Sequence, residues 1–260
     1  MTPQDAQLEE QLEEQSEEQP DERLDGQVAL VTGGSRGIGF AAARGLGVRG
    51  ATVVLVGRGD DTAGAAAAML VAEGIDAVGI GCDVGCSEEV VALPGRLGPL
   101  AAVDILICAA GVMSERTAKT LRTSESEWRR VMAVDLDGVW STMAAFVPGM
   151  VERRHGRVVA VSACLGRMSG PGNAGGLAPY RVAKAGVNAL VRNLAHEQGM
   201  GMRGVLVDAT CPGHCRTDMG GPDAPRSPEQ GAETALWLAG RSAAGALTGV
   251  LWEDRQVVPW

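Results

Sequence analysis

Between Gln27 and Trp252 the chain alternates short, β-branched apolar runs with longer stretches whose apolar positions recur at helical spacing. The first run, QVALVT at 27–32, opens directly onto glycine-rich sequence and then onto helix-forming FAAARGLGVRG at 40–50. This predicts a strand, a tight turn and a helix. Further strands are predicted near 51–57, 76–81, 103–110, 157–162, 203–211 and 248–252. Helices are predicted over 61–74, 87–97, 178–199 and near 228–239, with one long helix from about Ser124 to Glu152. The strands are apolar on both faces, which only a sheet covered on both sides can bury. Regular alternation with right-handed crossovers then predicts an α/β chain with a single doubly wound parallel sheet, helices on both faces, over 26–260.

Residues 1–25 break this pattern, holding ten Asp and Glu against one Arg. Leu8 and Leu12 bury too little to order the segment, so a disordered acidic tail is expected. The formal charge of -9 belongs to that tail, because the body carries 22 acidic and 22 basic residues. A neutral body offers no basic stripe for nucleic acid. The first twenty residues lack the apolar core of a secretory signal, and Asp104 and Gly111 interrupt the best apolar stretch. A cytoplasmic protein with no membrane partner is expected, its six cysteines reduced. Cys82/Cys86 and Cys211/His214/Cys215 have spacings that invite a metal reading, but they fall at a strand end and in a loop, and no metal site is predicted.

The turn reads Thr32-Gly33-Gly34-Ser35-Arg36-Gly37-Ile38-Gly39. Between a strand and a helix N-terminus, such a turn lets backbone approach a pyrophosphate closely and points free N–H groups at it. The second strand ends in Gly57 and Arg58, where an acidic residue would be needed to hydrogen-bond the ribose hydroxyl of NAD. Arg58 with Arg36 makes a positive fork for a 2′-phosphate, so NADP(H) is expected.

Tyr180-Arg-Val-Ala-Lys184 places a phenol and an ammonium four residues apart, on one face of a helix. A nearby ammonium is expected to lower the phenol's pKa and fit it for proton exchange. Tyr180 is the chain's one tyrosine and Lys184 one of its two lysines. With the turn at 32–39, this pair, and then Pro212-Gly213 followed by Thr217, the chain resembles the short-chain dehydrogenase/reductase family over essentially all of 26–260. From Cys211 onward, CPGHCRTDMGGPDAPRSPEQGAE, EDR and the terminal PW look like its carbonyl-reductase-like branch.

The resemblance implies a Rossmann fold, NADPH, hydride transfer and a small-molecule carbonyl substrate, in a homodimer or homotetramer. It implies that Asp83 and Val84 contact adenine, that Ala109, Ala110 and Gly111 lie beside the cofactor, and that Pro212 and Gly213, through Cys215 and Thr217, hold the carboxamide. Cys108 and Ala109 stand where the family writes two asparagines, and Asp135 where it writes a catalytic one. Ala163 stands where the family has its catalytic serine, and Ser162 should point to the opposite side of an alternating strand. The stretch from Ala163 to Tyr180 is longer than the family's usual interval and offers Ser169 and Asn173 as substitute donors.

The expected reaction is NADP(H)-dependent reduction of a carbonyl or imine in a small apolar metabolite. Its catalytic set is Tyr180, Lys184, Asp135 and Ser162, with Tyr180 the proton donor and His214 a shaper of the pocket. The alternative keeps the cofactor-binding scaffold and runs a non-redox dehydration, isomerisation or cyclisation. A catalytically silent cofactor sensor is a third reading, opposed by the retention of Tyr180 and Lys184.

Overall fold

The computed structural model describes residues 23–115, 119–170, 175–197 and 199–259. The apolar runs form strands β1 (Val28–Thr32), β2 (Thr52–Gly57), β3 (Ala77–Gly81), β4 (Ile105–Cys108), β5 (Gly156–Val161), β6 (Val205–Thr210), β7 (Leu251–Glu253) and β8 (Gln256–Val257). They make one sheet in the order β3-β2-β1-β4-β5-β6-β7-β8. All neighbours are parallel except β7 and β8. The central strands β4, β5 and β6 are buried at every residue, as the continuous apolar runs require.

The helices are α1 (Gly37–Val48), α2 (Asp60–Ala72), α3 (Ser87–Leu97), α4 (Glu125–Met132), α5 (Gly138–Arg153), α6 (Ala178–Glu197) and α7 (Pro228–Gly240). Side chains alternate along each strand, so the sheet feeds two cores. Leu30, Val54, Leu106, Val158 and Val207 face α3, α5 and α6 through Val90, Met143 and Val187. Val31, Leu55, Ile107 and Val159 face α1, α2 and α7 through Leu46, Leu70 and Leu238. The doubly wound sheet expected from the sequence is the fold observed.

Three details differ. The long helix expected over 124–152 is two α-helices joined by a π-helical turn at Ala133–Asp137. A π-turn carries one extra residue, which re-aims the side chains around it, and Asp135 sits in this one. The chain's last strand pair is a hairpin whose turn residues Asp254 and Arg255 both have positive φ, 52° and 61°. Leu24, expected in the acidic tail, is buried in the second core, and its N–H donates to Arg49 O at 2.7 Å. Residues 1–22 of the expected tail lie outside the described residues. Among the described residues no helix is long and apolar enough to cross a membrane.

Candidate active site

The β1–α1 turn forms as the glycines dictate. Gly33 and Gly37 have φ of 67° and 57°, a left-handed region that favours glycine. A Cβ on Gly33 would stand 2.8 Å from Ala110 Cα, and one on Gly39 would collide with Gly33 O. Ala109 and Ala110 donate to Thr32 O and Oγ1 at 3.2 and 3.3 Å, which holds the 109–111 segment beside the turn. Arg36, the N-cap of α1, gives no side-chain cap, and no acidic residue occupies the helix's first turn. The N-terminal N–H groups and positive dipole end of α1 therefore suit a pyrophosphate. This cradle fits a dinucleotide.

Some of the other residues expected to contact the cofactor lie beside it. Ser35 packs near Gly57, Thr217 Cγ2 would lie 3.1 Å from a Cβ on Gly37, and Ile38 lies against Gly231 of α7. Cys215 is buried, donates to Pro212 O at 3.2 Å and nests against Gly231, which closes the 212–217 loop over the turn. Asp83 Oδ1 accepts from Gly85 N at 3.0 Å, and Val84 packs against Gly138. Arg58 is exposed at the end of β2. Asp60, the first acidic residue after β2, is drawn away to β3, where its Oδ1 accepts from Gly81 N at 2.6 Å. Arg36 pairs with Asp218 at 2.7 Å on the surface.

One turn of α6 brings Tyr180 and Lys184 together, with Nζ 5.7 Å from the ring centroid. Lys184 Nζ donates to Val161 O at 3.0 Å and lies 3.6 Å from Asp135 Oδ2, an ion pair with both side chains buried. Asp135 Oδ1 accepts from Val112 N at 2.7 Å, while Oδ2 has no hydrogen-bond partner. Burial pushes this carboxyl up from its usual range, and the Lys184 charge pulls it back. Gly111 leaves room over the pair, since a Cβ there would lie 3.4 Å from Oδ2 and 3.6 Å from Nζ.

Burial also pushes the Tyr180 phenol up, and the negative charge of Asp135 adds to it. The lowering expected from Lys184 is therefore overturned in the protein by itself: Asp135 and the Val161 carbonyl hold the ammonium, and desolvation dominates. Tyr180 packs with Ala163, Ala183 and Val131, edged by Val112, Met113, Leu165, Leu177 and Met219. The phenol thus belongs to a buried apolar cluster, and Ala163 contributes a methyl where a hydroxyl was the family expectation.

Residues 27–227 match the family model described as short chain dehydrogenase. The chain belongs to the short-chain dehydrogenase family. Among its relatives is a 3-oxoacyl-acyl-carrier-protein reductase of Synechocystis, 35% identical over 198 residues, which are 75% of this chain and 77% of that protein. The short-chain reductase protein NovJ of Streptomyces niveus is 35% identical over 193 residues, 74% of this chain and 70% of that one. Among solved structures, a metagenomic short-chain oxidoreductase in complex with NADP matches with a TM-score of 0.75 and 31% identity, covering 88% of this chain and 98% of that one. A gluconate 5-dehydrogenase from Burkholderia cenocepacia in complex with NADP and tartrate matches with a TM-score of 0.78 and 27% identity, over 89% and 94% of the two chains.

Ser162 is turned away from the phenol, as strand alternation requires. Its buried hydroxyl donates to Asn188 Oδ1 at 2.6 Å and lies 3.3 Å from Lys184 O, tying the end of β5 to α6. Ser169 donates to Pro259 O at 3.1 Å, and Asn173 lies outside the described residues. The His214 ring shares a hydrogen bond with Gly220 O at 2.8 Å, inside its own loop. Sequence reasoning missed Ser114, whose buried Oγ accepts from Tyr180 N at 2.8 Å and so fixes the start of α6. It also missed Gly166, where a Cβ would stand 2.7 Å from the Lys184 carbonyl carbon. Neither has a local signal, because both act on α6 across the fold.

Proposed function

We propose that this dehydrogenase is an NADP(H)-dependent reductase of a carbonyl or imine in a small, apolar, biosynthetic substrate. The observation that carries the reading is Tyr180 in a buried apolar cluster, one helical turn from the buried Lys184–Asp135 pair. The preference for NADP(H) rests on Arg36 and exposed Arg58 near the end of β2, with Asp60 bound elsewhere.

A bound nicotinamide would supply the hydride. Gly33, Ser35, Gly37, Ile38 and Gly39 would hold its pyrophosphate end, Asp83 and Val84 its adenine, and Pro212, Gly213, Cys215 and Thr217 its carboxamide. Burial keeps the Tyr180 phenol protonated, so the group that would donate to a developing alkoxide or amine is present in its acid form. Lys184, fixed by Asp135, stands with its ammonium 5.7 Å from the centroid of the ring that gives up the proton. Ser162 orients α6 by its bond to Asn188. Ala163 offers the substrate oxygen no donor, and an imine, which develops less oxyanion charge, needs that donor less.

The methyl of Ala163 also favours a second reading, a non-redox dehydration, isomerisation or cyclisation on the same scaffold. One experiment separates the two. The loss of NADPH absorbance is followed over ketones, aldehydes, quinones and cyclic imines, with NADPH and NADH binding measured by calorimetry. Consumption with one class, and tighter binding of NADPH, is expected. Tight binding with no consumption on any class favours the non-redox reading, and no binding overturns both.

A further inference from the structure

The helix that carries Tyr180 is not capped by its own N-cap residue. Leu177 O accepts the first helical bond, from Arg181 N at 3.0 Å, so Leu177 stands at the N-cap of α6 with a side chain that has no acceptor. Pro179 has no N–H, which leaves Tyr180 N, at the third helical position, as the donor that an N-cap oxygen ordinarily takes. Ser114 supplies that oxygen from 66 residues away, with Tyr180 N donating to its Oγ at 2.8 Å. Ser114 is 3% exposed, so water does not compete for the bond.

The segment around Ser114 is itself held residue by residue. Val112 N donates to Asp135 Oδ1 at 2.7 Å, Arg130 Nη2 donates to Met113 O at 2.8 Å, and Glu115 N donates to Glu127 Oε1 at 2.7 Å. Arg130 and Glu127, both on α4, are paired with each other at 2.8 Å, so the bonds on either side of Ser114 lead to one unit. Residues 112–115 therefore hold Asp135 at one end and the Tyr180 amide near the other, with Val112 and Met113 packed against the phenol's cluster. Lys184 takes its place between the two, its Nζ 3.6 Å from Asp135 Oδ2 and 5.7 Å from the Tyr180 ring centroid.

We propose that Ser114 is a positioning residue of the reduction: it caps α6 from outside the helix and so sets the Tyr180 phenol against the Lys184–Asp135 pair. It acts through the Tyr180 amide and takes no part in proton transfer. Its hydroxyl matters as an acceptor, so threonine can replace it and alanine cannot. A frayed first turn displaces Tyr180, and misplacing a reacting group by about 1 Å costs on the order of 100-fold in rate. What Tyr180 does here rests on the reductase reading; how it is held does not.

Tyr180 is the chain's one tyrosine, so labelling tyrosine in the full chain gives a single amide signal and a single phenol signal. With 15N-tyrosine, the wild-type amide should be protected from hydrogen exchange although it lies in a helix's first turn, where N–H groups lack helical partners. Exchange at the free rate would overturn the proposal, and this readout needs no variant to fold. With 13Cζ-tyrosine, Ser114→Ala should shift or split the phenol line, and Ser114→Thr should return it to the wild-type position. In the NADPH assay, Ser114→Ala should lower kcat about tenfold or more while KM and the Kd for NADPH stay within about twofold, and Ser114→Thr should recover most of the rate. A lower Tm in Ser114→Ala with the phenol line and kcat unmoved would show a structural cap alone and overturn the proposal. If the wild type consumes NADPH with no substrate, the reductase reading fails, and the two labelled signals still decide whether Ser114 sets Tyr180.

Discussion

A carboxyl that is fully buried, with one oxygen unpartnered and an ammonium 3.6 Å away, is under two opposed pressures. Desolvation raises the pKa of Asp135 and Lys184 lowers it, and whatever negative charge remains acts on Tyr180. That charge raises the phenol's pKa, so removing it must lower it. Asp135→Asn should therefore move the alkaline limb of the kcat/KM profile for reduction to lower pH, and an unmoved limb would place Asp135 outside the proton path. Tyr180→Phe removes the donor itself and should cost about 100-fold or more in kcat. Ala163→Ser tests the absent donor, since an oxyanion donor contributes on the order of 100-fold in rate. A ketone reductase lacking only that donor should gain at least about tenfold, and no gain with a ketone beside a preserved imine rate would assign the pocket to C=N reduction. Tyr180 and Lys184 were legible because their spacing is local and helical. The Asp135–Lys184 pair was not, because 49 residues separate the partners and only the folded chain brings them together.

Single elements carry the cofactor preference and the aim of the catalytic carboxyl. At the end of β2, Gly57 and Arg58 precede α2, whose first acidic side chain is held by Gly81 N. A charge-assisted contact to phosphate contributes about 1.5 to 3 kcal/mol, so Arg58→Asp should weaken NADPH binding about tenfold or more while NADH binding holds. Calorimetry with both cofactors reads this directly, and equal losses for the two would mean that Arg58 serves the fold. Most helices ended near where periodicity, capping and glycine predict, as at α7, where Ser227 and Gln230 make a complete capping box. The π-turn at Ala133–Asp137 had no such signal. The surrounding VMAVDLDGVW contains no proline and reads as continuous helix. What marks the turn is contact across the fold: Val112 N donates to Asp135 Oδ1, and a Cβ on Gly138 would stand 2.8 Å from Val84 O. The last hairpin was illegible for a related reason. Its turn puts Asp254 and Arg255 at positive φ, a position where sequence reading looks for Asn or Gly.

At the scale of the whole molecule, the two cores were readable because every central strand is apolar on both faces, and a parallel sheet between helix layers is the arrangement that buries both. What binds the layers at the β6 edge was not readable. Arg241, just past α7, donates to Asp208 Oδ2 on β6 at 2.6 Å and to Leu247 O at 3.0 Å. Its guanidinium lies 4.9 Å from the Trp237 ring and 4.8 Å from the Trp252 ring, joining α7, β6 and β7. Both partners are buried, and Asp208 is pushed up by desolvation against the pull of Arg241. Such a pair is weak evidence of net stabilisation, yet removing one partner strands the other charge in the core, at about 3–5 kcal/mol. For a domain of this size each kcal/mol lowers Tm by roughly 2–4 °C. Asp208→Ala should thus lower Tm by about 6 °C or more in a thermal melt. The Arg23–Asp25 pair has the same 2.6 Å separation but is exposed, where water screens the interaction. Asp25→Ala should leave Tm unchanged, and a comparable fall in both variants would show that burial is not what makes the Asp208–Arg241 pair matter.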